Sequence, residues 1–497
     1  MKKIFVNIVF NLLVVLFIPF ASCQANSGLN SSKDIELSNG NIADIKGMTV
    51  KGFVLNTQNE PVEDVVVSDG SHFTVTNEKG IYYLPSDLAQ SKFVIISVPS
   101  DYEITSDNGI ASGFYAKLTY GKEVNQCNFI LEKRAKPLNE FAYIAISDPQ
   151  IKNATQLALF QTKTVPDLKN YATQNFRKEI YGITLGDNIW DAMGLFPAYK
   201  SSVSSLGFTM FHTIGNHDFD LNYNDLHNTE NPLSSYAEQS YESFFGPTDY
   251  SFNVGNVHVV TMKSIDYFKN KNYTENLTDD QLEWLKKDLS YVKTGSLVFL
   301  NLHAPTSNLS TNGSGNIRNA AQLIQILKDY RAHIFAGHTH FYENEKITST
   351  IYEHNIGAAC GAWWAGDVNR DGSPNGYLIV DVKGDDVKWH YKVTGRDLNY
   401  QFRVYKPGEF VTQSGYVVVN YWDWDTQCQV KWYEDGVLKG VMEQFSDEDQ
   451  DFINMSGKAK GYKTLHLFRA APSTGAKNIT IEVTNRFGEV YTEDISI

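Results

Sequence analysis

From residue 141 onward, apolar runs of strand length recur at Phe141–Ser147, Tyr181–Leu185, Phe208–Ile214, Ser296–Leu302 and Ala332–Ala336. Helix-patterned stretches lie between them. Thr278-Asp279-Asp280-Gln281 is a capping-box sequence ahead of Leu282–Leu289, and Ala320–Tyr330 predicts a second helix. Buried strands alternating with helices predict an α/β layer fold over 139–394. Before it, short β-rich runs (Val50–Leu55, Val65–Val67, Phe73–Thr76, Ile81–Leu84, Phe93–Val98) alternate with turn signals such as Asp69-Gly70 and Lys79-Gly80, predicting a small all-β domain over 47–134. Lys133–Asn139, with Pro137, reads as a linker. After about Thr394 the β pattern returns (Gly415–Asn420, Gln429–Tyr433, Thr480–Thr484), predicting a second small β domain over 395–497.

The first residues follow a different pattern. Lys2 and Lys3 precede an apolar run from Ile4 to Phe20, and Phe20-Ala21-Ser22-Cys23 follows. A basic start, a short apolar stretch and small residues before a cut predict a secretory signal over 1–22. Small residues before a cysteine also resemble a bacterial lipoprotein box, with Phe20 where leucine is commoner. In that reading Cys23 is the lipidated N-terminus of an exported protein anchored in the periplasm or at the cell surface, and 23–46 is a flexible tether. Ordinary signal cleavage beside an incidental cysteine is the plainer alternative.

Composition narrows the function classes. A chain of 497 residues with 42% hydrophobic and 13% aromatic content has material for several cores. A formal net charge of −14 argues against a grip on nucleic-acid phosphates, so no nucleic-acid partner is expected. Four cysteines are too few for a disulfide scaffold, and no CxxC pair exists for a zinc site. Cys127, Cys360 and Cys428 are consistent with one disulfide and one free thiol, or with three reduced cysteines.

Each of the five strand-like runs ends in a polar cluster. In order these are Asp148-Pro149-Gln150, Gly186-Asp187-Asn188, Gly215-Asn216-His217-Asp218, His303 and Gly337-His338-Thr339-His340. Loops beyond the carboxyl ends of strands converge on one crevice in open α/β folds. Oxygen and imidazole donors collected there suit borderline and harder divalent metals. A lone His303 or Gly-Asp would mean little; the ordered set is specific. No G-x-x-x-x-G-K-[ST], G-x-S-x-G or H-E-x-x-H occurs, which weighs against NTPase, serine hydrolase and zinc protease chemistry.

These blocks resemble the calcineurin-like metallophosphoesterases, whose motifs run D-x-H, G-D, G-N-H-[DE], H and G-H-x-H in the same order. Tyr250–Met262 is similar to the strand pair that follows G-N-H-D in many members. The N-terminal run "KGFVLNTQNEPVEDVVVSDG" resembles transthyretin-like or carboxypeptidase-regulatory-like sandwiches, and the three-part layout resembles a bacterial subgroup. The resemblance implies a four-layer α-β-β-α core flanked by two small all-β sandwich domains. It implies two divalent ions (Mn, Mg, Zn or Fe): one on Asp148, Gln150, Asp187 and His340, the other on Asp187, Asn216, His303 and His338. It further implies metal-bound hydroxide attacking phosphorus, with His217 assisting the leaving oxygen, on a phosphorylated small molecule, lipid or protein. Gln150 departs from the family's histidine, so the first metal is expected to bind more loosely or to be Mg or Mn.

Smaller expectations attach to other residues. Asp191 is expected to orient His217. Asn188, Arg318, Trp363 and Trp364 are candidate substrate contacts, although core or interface packing suits the two tryptophans as well. His212, His258, His333 and His354 are read as structural. The competing reading is a catalytically weak envelope protein that binds glycan or protein through its β domains, with Tyr421-Trp422-Asp423-Trp424 as the candidate aromatic platform.

Overall fold

The computed structural model describes residues 40, 42–223, 237–269 and 271–497. The signal segment, Cys23 and most of the expected tether lie outside the described residues. Two sheets form the centre. One has seven strands in the order Asp386–Val393, Gly376–Lys383, Glu140–Ile146, Glu179–Leu185, Thr209–Thr213, Ile110–Ala111 and Ser106–Asp107. The other has six, in the order Tyr250–Val254, Val257–Thr261, Leu297–Asn301, Arg331–Ala336, Ile351–Asn355 and Glu343–Lys346.

Alternation along the strands explains why these sheets stack and then attract helices. In Glu140–Ile146, Phe141, Tyr143 and Ala145 belong to the cluster between the sheets, while Ala142, Ile144 and Ile146 join the cluster that includes helix residues Phe160, Leu168 and Phe196. Across the interface, Tyr143 meets Phe299 and Phe335 at 5.4 and 5.7 Å, and Phe211 stacks on Phe252 at 4.0 Å. Val298 and Leu300 face the other way, into the cluster holding Leu282, Leu285 and Leu323. The capping box forms as the sequence predicts. Thr278 accepts from the Gln281 N–H at 3.2 Å, and Gln281 accepts from the Thr278 N–H at 2.9 Å, opening the helix Asp279–Leu289.

Flanking β structure packs on both sides. Residues 50–131 form two small sheets, and residues 403–496 form two more. The N-terminal part does not stop at the linker. Its hairpin Ser106–Asp107/Ile110–Ala111 runs across to extend the central sheet, with Ile110 pairing in parallel with Met210 and the Met210 N–H donating to Gly109 O at 2.8 Å. No sequence pattern announced this. Two-residue strands are too short to show periodicity.

The aromatic strip considered for ligand binding is largely internal. Tyr421 and Trp422 are fully buried, and Asp423 accepts from Tyr342 OH at 2.6 Å. Trp424 is half-buried. The strip seals the seam between the core and the C-terminal sheets, so it is not the exposed platform the competing reading needs. Cys360 and Cys428 are free thiols, which excludes a bridge between them.

Candidate metal centre

The backbone is bent unusually at the strand ends. Asp148, Gln150, Asp187, Asp191, His338, His340, Trp363 and Trp364 all have positive φ. They are eight of the fourteen such non-glycine residues among those described. This conformation costs side-chain-bearing residues about 1–3 kcal/mol each and concentrates at sites where loops are over-determined by function. Two glycines let the loops close. A Cβ on Gly215 would lie 2.3 Å from Asp187 Oδ1, and one on Gly337 would lie 1.8 Å from Ser147 Oγ. Gly-Asn-His-Asp and Gly-His-Thr-His thus open with glycine because another ligand loop passes through the space of its side chain.

Four donor atoms converge at one end of the crevice. His303 Nε2 lies 3.0 Å from Asn216 Oδ1, 3.1 Å from His338 Nδ1 and 3.4 Å from Asp187 Oδ1. His303 Nδ1 meets the Leu185 carbonyl at 2.7 Å and therefore carries the ring proton, which leaves Nε2 as a lone pair. Burial lowers the His303 pKa further and keeps the ring neutral. His338 Nε2 donates to Glu275 Oε1 at 3.2 Å, so in the neutral ring Nδ1 is the nitrogen with the free lone pair. Asp187, His303 and His338 place one donor atom each within 4.8 Å of one another. With both rings neutral these lone pairs face one another, an arrangement that a cation between them would stabilise, and oxygen with imidazole nitrogen fits a divalent metal.

The second group shares Asp187. His340 Nδ1 donates to Gly361 O at 3.2 Å and turns Nε2 toward Asp148 Oδ1 at 3.5 Å. Burial alone would raise the Asp148 carboxyl; His340, His303 and the Ser147 hydroxyl together hold it well below the usual carboxylate range. Gln150 closes the group, its amide nitrogen 2.9 Å from Asp187 Oδ2 and 3.5 Å from Asp148 Oδ1. Half a turn of the amide presents its oxygen to the same place, so the set Asp148, Gln150, Asp187 and His340 also fits a hard cation. Cys360 Sγ, 3.9 Å from Gln150 Oε1 and 3.4 Å from Gly361 O, lies behind the amide.

His217 lies outside both donor sets. Its backbone N–H donates to Asp187 Oδ1 at 2.8 Å, its Nδ1 meets Asp191 Oδ1 at 3.0 Å and its ring stacks on Trp190 at 4.3 Å. Burial by itself would lower the His217 pKa, but Asp187 and Asp191 outweigh it and raise it. Burial would raise the Asp191 carboxyl, yet His217 and Lys271, whose ammonium ion-pairs with it, hold it down. With Nδ1 committed to Asp191, Nε2 is the nitrogen left for chemistry.

The other expected contacts divide. Trp363 stacks on His340 at 5.1 Å, and Trp364 Nε1 donates to Pro149 O at 2.9 Å, so both tryptophans brace ligand loops. Asn188 is fully buried; its amide donates to Asp218 and Thr213 and accepts from Tyr199 OH, all directed into the protein. Arg318 is exposed, donates its N–H to Glu275 O and helps hold the Glu275 carboxylate down after the larger effect of His338. His212 is a buried ring on Phe245, and His258 and His333 bond to Asp288 and His354. Sequence reasoning missed Tyr273, Glu275, Lys271, Arg370 and Tyr462. They come from segments with no motif, and only folding brings them to the crevice of about 420 Å³ beside His338 or to Asp191.

Fold and site together define an α/β protein with a group on its strand-end loops that could hold a metal ion. Residues 143–342 match the family model of the calcineurin-like phosphoesterases, 48–134 match the model for the N terminal of calcineurin-like phosphoesterase and 353–491 match that for its C terminal. The chain belongs to the calcineurin-like phosphoesterases, in the form with N- and C-terminal flanking domains. None of the curated proteins matches it significantly. Among solved structures it is similar to a dimetal phosphatase from Danio rerio (13% identity, 53% of this chain and 98% of that one, TM-score 0.36) and a 5′-nucleotidase from Candida albicans (12%, 52% and 52%, 0.32). A protein from Thermus thermophilus shows 11% identity over 51% of this chain and 99% of its own, at a TM-score of 0.30.

Proposed function

We propose that the protein hydrolyses phosphate esters with two divalent metals, the first held by Asp148, Gln150, Asp187 and His340 and the second by Asp187, Asn216, His303 and His338. The observation that carries the reading is the convergence of Asp187 Oδ1, Asn216 Oδ1, His303 Nε2 and His338 Nδ1 around one point. When bound, the metals polarise phosphoryl oxygens and activate a water for in-line attack. Asp187 serves both groups with separate oxygens. Asn216 contributes an uncharged oxygen, which limits negative charge where an anionic substrate must enter. Asp191 fixes the His217 ring by accepting from its Nδ1–H and favours the protonated ring, so that Nε2 faces outward as the proton donor for the departing oxygen. The basic, apolar and small-residue order of residues 2–23 supports an exported, lipid-anchored enzyme facing the periplasm or cell surface.

The test compares metal-stripped protein before and after Mn, Mg, Zn or Fe is restored, on chromogenic phosphomonoester and phosphodiester substrates, with bound metal counted by elemental analysis. Two metals per chain and metal-restored turnover are expected. Asn216→Ala/His217→Ala is expected to fall by about 10²–10⁴-fold, the usual contribution of a positioned acid, or more. A protein that retains no metal and turns over neither substrate under any of them refutes the proposal.

A further inference from the structure

Beside the metal centre, Arg370 occupies a position that none of the ligand motifs explains. Its Cζ lies 5.0 Å from the centre of the Trp363 ring and 5.0 Å from that of the Tyr462 ring. Trp363 in turn stacks on the ligand His340. Arg370 Nη1 donates to Thr339 O at 3.2 Å, and its backbone N–H donates to His340 O at 3.1 Å, so the residue is tied to the Gly-His-Thr-His loop itself. Its Nε is buried and without a hydrogen-bond partner. No carboxylate pairs with it among the described ion pairs, and its side chain lines the crevice that also holds His338, Glu275 and Tyr273.

The loop that carries Arg370 is held from the C-terminal side. Asp371, fully buried, accepts from the Tyr342 N–H at 2.6 Å and meets His466 Nε2 at 3.1 Å. Asn420 donates to the Asp371 carbonyl at 3.1 Å and to Asp449 at 2.8 Å, and accepts from His466 at 2.7 Å. Gly372 packs so closely on Asp449 that a Cβ would meet its Cγ at 1.9 Å. The C-terminal sheets therefore do two things at the site: they fix the loop, and they supply the Tyr462 ring.

We propose that Arg370 is a phosphate-binding residue of the substrate crevice and that the C-terminal domain, through Tyr462 and the Asp371–His466–Asn420 bonds, positions it. A guanidinium set against two aromatic rings and tied through Nη1 to Thr339 O is held in one orientation, and Nη2, for which no protein hydrogen bond is seen among the described residues, is the donor left to an oxyanion in the crevice. The inference rests on the phosphoesterase reading for the identity of the anion, and its test does not depend on turnover. Binding of inorganic phosphate to the metal-loaded full chain is measured by calorimetry, alongside KM and kcat.

Arg370→Ala is expected to weaken phosphate binding and raise KM at least tenfold, with metal content and melting temperature kept. Tyr462→Ala is expected to raise KM several-fold with kcat nearly unchanged, and Tyr462→Phe, which keeps the ring, to restore it. Phosphate affinity within twofold of wild type in Arg370→Ala overturns the proposal. Should that variant lose its metals, Arg370→Lys decides: the charge and stem remain but the fork is gone, so weaker phosphate binding supports the role and equal binding overturns it. A wild-type protein that binds phosphate through Arg370 yet hydrolyses no ester sinks the enzymatic reading and supports this one.

Discussion

The two flanking β regions are built alike and joined to the core by different means. The N-terminal region shares backbone with it: the Ile110–Ala111 strand extends the central sheet, Asn253 N–H donates to Val98 O at 3.0 Å, and Lys92 is paired with Glu238 and Glu242 at 2.8 and 2.9 Å. None of these contacts includes a candidate metal ligand. The C-terminal region adds no strand to either central sheet; it docks through side chains, and two of them, His466 and Asn420, end at Asp371, next to Arg370. A shared sheet edge gives rigidity without touching the chemistry, whereas a side-chain seam can pass geometry to the site. One flank is a brace and the other is part of the wall.

The comparison is broken most severely on the N-terminal side by Lys92→Met. Removing one member of a buried ionic cluster leaves Glu238 and Glu242 less compensated and is expected to cost about 3–5 kcal/mol of stability. Turnover per folded molecule should stay within twofold of wild type; a selective loss of activity would make the brace part of the site. On the other flank, His466→Ala is expected to cost less stability, about 1–3 kcal/mol for a buried hydrogen-bonded group. It should nonetheless raise KM, because Asp371 and then Arg370 lose their anchor. Unfolding curves and steady-state kinetics on the two variants give opposite orderings if the comparison holds.

The smallest effect at neutral pH is expected at His212, on the strand that the N-terminal hairpin extends. Burial pushes this imidazole down to about 3 from an ordinary value of 6.5, with Lys200 adding to the shift. Between those values the unfolded chain holds a proton that the folded chain does not, so stability rises with pH across the window and is lost as pH falls from about 6.5 toward 3. His212→Phe keeps a ring against Phe245 and removes this titration. Its melting temperature should therefore decline less than that of wild type between pH 7 and pH 5; equal declines would show that other groups govern the acid response.

Asp148, Asp187, Asn216, His303, His338 and His340 were legible in the sequence because each sits at the end of an apolar run. Strand periodicity places such a residue at the mouth of the sheet whatever the loops do next. Asp191 was legible only as a neighbour of Asp187, and Gln150 only as a departure from a motif. Strand alternation likewise determined the layered core, and Thr278 with Gln281 determined where a helix begins.

Tertiary structure alone decided the rest. Tyr421 and Trp422 look like an exposed platform until a second sheet covers them. Asn188, although next to Asp187, is turned inward by Tyr199 and Asp218. Ser106–Ala111 joins a sheet on the far side of a linker, and Arg370 meets Tyr462 across a distance in chain that no local pattern spans. Local sequence sets which way a strand residue points and what its backbone can form. Which distant surface comes to lie against it depends on how whole layers pack, and that is where the walls of this site are made.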